Sequence, residues 1–145
     1  MKDKKYLDRL KITLNPELKE KNLKFKTIVR SEHLNHHGVL FGGYMLLWTD
    51  EFAYVAALED YPKTRFVTRG MESVSFTKSV PNGAIVTFDV NRIRTGNSSV
   101  TYQVDVTARE MLSEKSFDVF HTRITLCAVN AKAEKVSLES IAEKN

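Results

Sequence analysis

The chain has 145 residues, 42% of them hydrophobic and 28% charged. That is the profile of one globular domain, long enough to bury about two-thirds of its unfolded surface without disulfides or metal. Its single cysteine, Cys127, excludes an internal disulfide and a multi-cysteine zinc site. The net charge of +4 is an N-terminal property, because residues 1–30 carry ten Lys/Arg against four acids and the rest twelve against fourteen. No recognition helix or run of cations interleaved with aromatics accompanies it, so nucleic acid is not an expected partner.

The first residues, MKDKKYLDRLKITL, are interrupted by Asp3 and Asp8 and contain no apolar core, which argues against a secretory signal and makes the cytosol the expected compartment. Residues 1–23 read as a basic leader, 24–130 as the domain and 131–145 as a polar tail. Lys24 to Val29 alternates and predicts a first strand. A polar segment, Arg30 to Gly38, leads to Phe41-Gly42-Gly43 and an apolar run ending at Leu58, predicted to be a helix stopped at Asp60-Tyr61-Pro62. Asp50 and Glu51 sit in its middle. Each costs about 2.5–3.5 kcal/mol at a bilayer centre, so the run is not a membrane span.

Everything after Pro62 predicts strand, four strands in all joined by tight turns. Phe66-Val67-Thr68 and Val74 to Thr77 are β-rich, and Pro81-Asn82-Gly83 is a turn. Val86, Phe88 and Val90 alternate with polar residues. Beyond the Gly96-Asn97 turn, Val100, Tyr102, Val104, Val106 and Ala108 alternate strictly, and Phe117 to Asn130 forms a last long strand. Strands joined by tight turns are antiparallel. A helix apolar nearly all round must be buried, and a curved antiparallel sheet is the surface available to bury it. The expected class is α+β, an antiparallel sheet wrapped around one long central helix, with open flanks that call for a dimer or larger assembly.

Asp50 is the most informative residue. An unpaired carboxylate in an apolar helix costs several kcal/mol, so it needs a partner or a use. Against this stands the reading that Asp50 and Glu51 mark the helix's wet face. Gly42-Gly43, at the helix start, would let a ligand approach the backbone and offer free N–H groups to a developing oxyanion. The alternative is a glycine turn required by packing. His33, His36 and His37 invite a metal, but a site needs three or four converging ligands, so no metal is expected. Asn35 can hold a water or a carbonyl, being both donor and acceptor. His121 is read as structural, and Cys127, in an apolar strand, as an inert buried thiol.

Together these residues resemble the hotdog-fold acyl-CoA thioesterases of the acyl-CoA hydrolase branch. The motif N-x-x-G-x-x-x-G-G followed seven residues on by a helical acid reads here as Asn35 to Gly43, then Asp50 in WTDEFA. The segments VTRGMESVSFTKSVPNGAIVTF, RTGNSSVTYQVDV and LCAVNAKAEKVSL extend the likeness over about residues 24–138. The resemblance implies a hotdog fold, a homodimer or higher assembly (tetramer or hexamer), and hydrolysis of an acyl-CoA to acid and CoA without metal or organic cofactor. It implies Asp50 as general base or nucleophile, Asn35 as the residue positioning water or carbonyl from the opposite subunit, and the Gly43 N–H as oxyanion donor. CoA phosphates need cations, for which Arg92, Arg94, Lys78 and Arg69 are candidates. Gly42 and the turn residues Gly96, Ser98 and Ser99 complete the substrate-binding set. His36 and His37 depart from the small residues common at their positions. Two other functions compete: a non-catalytic acyl-CoA-binding module, and a hotdog hydroxyacyl-thioester dehydratase. The dehydratase's His-Phe-Pro-Gly setting does not occur here.

Overall fold

Strict alternation along Val100 to Ala108 becomes a strand of the fold, and every inward residue of it is buried. The computed structural model describes residues 22–138. The leader (1–21) and the end of the tail (139–145) lie outside the described residues.

The elements, in chain order, are β1 (Asn22–Ile28), a single 3-10 turn (Ser31–His33), α1 (Gly42–Asp60), β2 (Arg65–Phe76), β3 (Ile85–Thr95), β4 (Ser99–Arg109) and β5 (Ser116–Val129). All five strands join in one antiparallel sheet of order β1-β3-β4-β5-β2. One row of apolar side chains crosses the whole sheet, Phe25–Phe88–Val106–Phe120–Phe76. Side chains directly opposite one another are the unit of sheet stabilisation. α1 lies on this apolar face, with Met45, Trp48, Thr49, Ala53, Ala56 and Ala57 buried against it. Phe52 stacks on Phe25 at 4.7 Å and meets Phe88 edge-on at 4.9 Å, tying the helix to β1 and β3.

Two expectations are corrected and one holds. First, the β-rich stretch after Pro62 is one of the four strands expected beyond the helix, β2, with register shifts at Thr68/Gly70 and Glu72/Ser75. Bulges of this kind interrupt the two-residue period from which strands are read. The buried Thr122 Oγ1 donates to the Glu72 carbonyl at the second shift, satisfying a group the ladder leaves over. Second, the segment containing Pro81-Asn82-Gly83 is not a hairpin, since β2 pairs with β5 at one edge and β3 lies beside β1 near the other. Third, the helix is not covered all round: Leu47, Tyr54 and Val55 are 52%, 38% and 37% exposed.

The first part of the tail folds back onto the end of β5. Val136 N donates to Ala128 O and Leu138 N to Asn97 O, and Leu138 is buried in the core. No helix among the described residues is long and apolar enough to cross a membrane.

Candidate active site

The polar segment before α1 closes into a small loop. Leu34 and Leu40 bridge across it, Asn35 N donates to Val39 O at 2.8 Å, and Phe41 N donates to His33 O at 2.8 Å. Gly38, at φ +77, makes the turn at its tip, a backbone region where side chains other than glycine's are strained. Asn35 Oδ1 accepts the N–H groups of His37 and Val39 at 2.9 and 3.3 Å. The Asn35 carbonyl is therefore committed to its own loop, and what remains for a ligand is the Nδ2 donor.

Asn35 lines a cleft of about 310 Å³ at the N-terminal end of α1, together with Gly42, Met45, Phe76, Lys78 and Val119. The lining mixes apolar and polar side chains, and Lys78 also lies 4.4 Å from the Phe117 ring centre. The first N–H groups of a helix have no intrahelical partner. Neither the Gly42 nor the Gly43 N–H is bonded among the described residues. Both positions are crowded from above. A Cβ on Gly42 would stand 3.3 Å from the Phe76 ring, and one on Gly43 2.5 Å from Phe41.

Asp50 lies eight residues further along the helix, about 12 Å from Gly42, half-buried, with Oδ1 accepting the Thr68 hydroxyl of β2. Thr68 carried no signal in the sequence, because its role is a contact between two elements rather than a spacing within one. Leu47 and Tyr54 stand three residues before and four after Asp50 on the same helical stripe. Asp50 is thus set in the middle of the apolar surface that the single chain leaves uncovered.

The remaining candidates separate. Arg92 is no free cation: its side chain is 13% exposed, its Nη1 is 3.4 Å from Asp60 Oδ2, and it packs over the Tyr61 ring. Tyr102 donates to the same Asp60 oxygen at 2.7 Å. Burial first, then the hydrogen bond and charge of Asp60, hold the Tyr102 hydroxyl far above the ordinary tyrosine range. Gly96, Ser98 and Ser99 form the β3–β4 turn, with Gly96 N donating to Ser99 O at 2.7 Å and the Ser98 carbonyl taken by Ala128 N. This turn adjoins the C-terminal end of α1 through Tyr61 and Thr95, about 28 Å of helix away from the cleft. Arg94 and Arg69 are exposed, and Arg69 follows Thr68 on β2.

The three histidines do not converge. His33 is buried at 5% exposure, while His36 and His37 stack at the exposed loop tip, 3.9 Å apart. No group of three or more His, Cys, Asp or Glu side chains among the described residues is placed to hold a metal. Cys127 is buried, and His121 is exposed on the outer face of β5, opposite Asp105.

A family model described as the thioesterase superfamily matches residues 37–114, from the Asn35 loop through the β4–β5 turn. The chain belongs to that superfamily. An uncharacterized acyl-CoA thioester hydrolase of Buchnera aphidicola subsp. Baizongia pistaciae is 32% identical over 89 residues, 61% of this chain and 65% of that protein. Acyl-coenzyme A thioesterase 11 of Mus musculus is 29% identical over 109 residues, 75% of this chain. The chain thus spans 65% of the first relative and 18% of the second.

Among solved structures, a hexameric hotdog-fold thioesterase of Campylobacter jejuni superposes with a TM-score of 0.73 at 27% identity, covering 83% of this chain and 92% of that one. An acyl-CoA hydrolase from Staphylococcus aureus, solved with butyryl coenzyme A, gives 0.72 at 22% identity over 80% and 70% of the two chains. The helix-on-sheet architecture is the hotdog fold.

Proposed function

We propose that this protein hydrolyses acyl-CoA thioesters to a carboxylic acid and CoA, working as a homodimer or a larger homo-oligomer. The observation that carries the reading is the position of Asp50: a half-buried carboxylate, oriented by Thr68, in the middle of an uncovered apolar stripe. In the same chain Gly42, at the helix start, lies about 12 Å away along the helix, too far for its N–H and Asp50 to share one carbonyl. A second copy docked on the stripe would bring its own Asn35 loop and helix start towards Asp50. The S. aureus hydrolase has been solved as mutants that replace an asparagine and an aspartate fifteen positions apart, the same separation as Asn35 and Asp50 here.

A thioester carbonyl is already activated, so base, donors and positioned water suffice. Asp50, through the oxygen not bonded to Thr68, takes a proton from water as the water oxygen attacks the carbonyl carbon. The resulting oxyanion is held by the Gly43 N–H and Asn35 Nδ2. Collapse breaks the C–S bond, and the proton on Asp50 passes to the departing thiolate. Direct attack by Asp50, with hydrolysis of the mixed anhydride, yields the same products. Lys78 in the cleft lining and the exposed Arg69 and Arg94 are the cations on offer to CoA phosphates. No metal or organic cofactor enters either route, and the setting is the cytosol.

The test is thiol release from a panel of acyl-CoAs, acetyl to palmitoyl plus an aromatic ester, by wild type and Asp50→Asn. Turnover by wild type should fall at least about a hundredfold in the variant, the usual worth of a positioned base, with its circular dichroism unchanged. A folded wild type that binds these esters and releases no thiol would leave a binding module instead.

A further inference from the structure

His33 is the one buried histidine among the described residues, and the reaction above does not use it. Three contacts fix it. Its Nδ1 accepts the Arg30 N–H at 3.0 Å. Its carbonyl accepts the Phe41 N–H, the last amide before the glycine pair, at 2.8 Å. Its ring meets Tyr44 and Trp48, in the first two turns of α1, edge-on at 4.8 and 4.9 Å. One residue thus clamps the base of the Asn35 loop, the turn before it and the start of the helix. The Glu32 carboxylate lies 3.8 Å from Nε2.

We propose that His33 is a positioning residue that sets Asn35 and the Gly42-Gly43 N–H groups in register with one another. The inference rests on the thioesterase reading for its kinetic consequence but not for its structural one. Asn35 follows His33 by two residues, and the helix start hangs on the His33 carbonyl. Loss of the Nδ1 acceptor leaves the Arg30 N–H without its partner at the base of the loop. The donors then sit off the line to the oxyanion, while the rest of the cleft lining is unchanged. Misplacement by about 1 Å costs up to about a hundredfold in rate, and it acts on kcat rather than on KM.

The experiment compares His33→Phe, which keeps a ring against Tyr44 and Trp48 but no acceptor, with His33→Asn, whose Oδ1 can replace Nδ1. Both are assayed below their melting temperatures, and amide hydrogen exchange is followed over residues 30–43. The expected result for His33→Phe is a fall in kcat of about tenfold or more, with KM within about twofold and faster exchange at Arg30 and Phe41. His33→Asn should recover much of the rate and of the protection. Unchanged kcat in His33→Phe, or a change confined to melting temperature, would overturn the inference. Wild type inactive on every ester would sink the thioesterase reading alone. Exchange would then decide the positioning role, and unaltered protection in His33→Phe would end it.

Discussion

The Asp50 carboxylate has two oxygens, one of them occupied by Thr68, and the proposed mechanism uses the other. The hydroxyl fixes the carboxylate's rotamer and leaves the other oxygen for the reaction. Thr68→Val keeps the β-branched shape that suits a strand and removes only the donor. We expect kcat to fall about tenfold, the worth of one hydrogen bond to a charged group at roughly 1.4 kcal/mol per decade. KM should change little, and Thr68→Ser should restore the rate. Steady-state kinetics on the preferred ester checks this, and an undiminished kcat in Thr68→Val would remove Thr68 from the site. Asp50 was legible in the sequence because an acid amid apolar residues violates the helix's own pattern. Asn35 and the glycines were legible by spacing. Thr68 and His33 were not, because their importance lies in which residue of another segment they touch.

Among the elements, α1 is held at both ends by different physics. Its N-terminal end is packed through His33 and open towards the cleft. Its C-terminal end carries Asp60, with a side chain 4% exposed, where a negative charge opposes the helix dipole. Arg92 and Tyr102 compensate it from β3 and β4. The sequence could not separate Arg92 from a solvated strand end, since a buried ion pair and an exposed cation look alike in one dimension. The β4 alternation could be read directly and β2 could be read as a strand despite its bulges, but nothing local announced that β2 pairs with β5.

Tyr102→Phe removes a hydrogen bond to a charged acceptor and should cost about 1.5–3 kcal/mol near neutral pH. The Tyr102 pKa is raised in the folded state above its ordinary value of 10.0. Its contribution is therefore complete below that pH and lost as pH rises beyond it, because the unfolded chain releases the proton first. Wild-type stability should decline above about pH 10, and the decline should be shallower in Tyr102→Phe. Denaturant unfolding at matched protein concentration, from neutral to alkaline pH, reads both effects. Parallel alkaline limbs would mean that Tyr102 does not carry this term.

At the scale of the whole molecule, the single chain is unfinished. β2 is an edge strand with Val67, Val74 and Phe76 exposed at 46%, 43% and 53%, and the helical stripe of Leu47, Asp50 and Tyr54 is likewise uncovered. Open edges and apolar faces of this kind are closed by a partner. If the closing partner is a second copy, each site takes Asp50 from one chain and Asn35 from the other. Two inactive variants should then complement. Asp50→Asn supplies an intact Asn35 and Asn35→Ala supplies an intact Asp50, so a hybrid dimer has one complete site and one doubly defective site. After equal mixing and subunit exchange, half the dimers are hybrids, which predicts recovery of about a quarter of wild-type activity from two preparations with almost none. Sites built within one chain would give no recovery at any mixing ratio. The exchange itself is checked by mass spectrometry of the mixed assemblies, so that absent recovery with full exchange refutes the shared site.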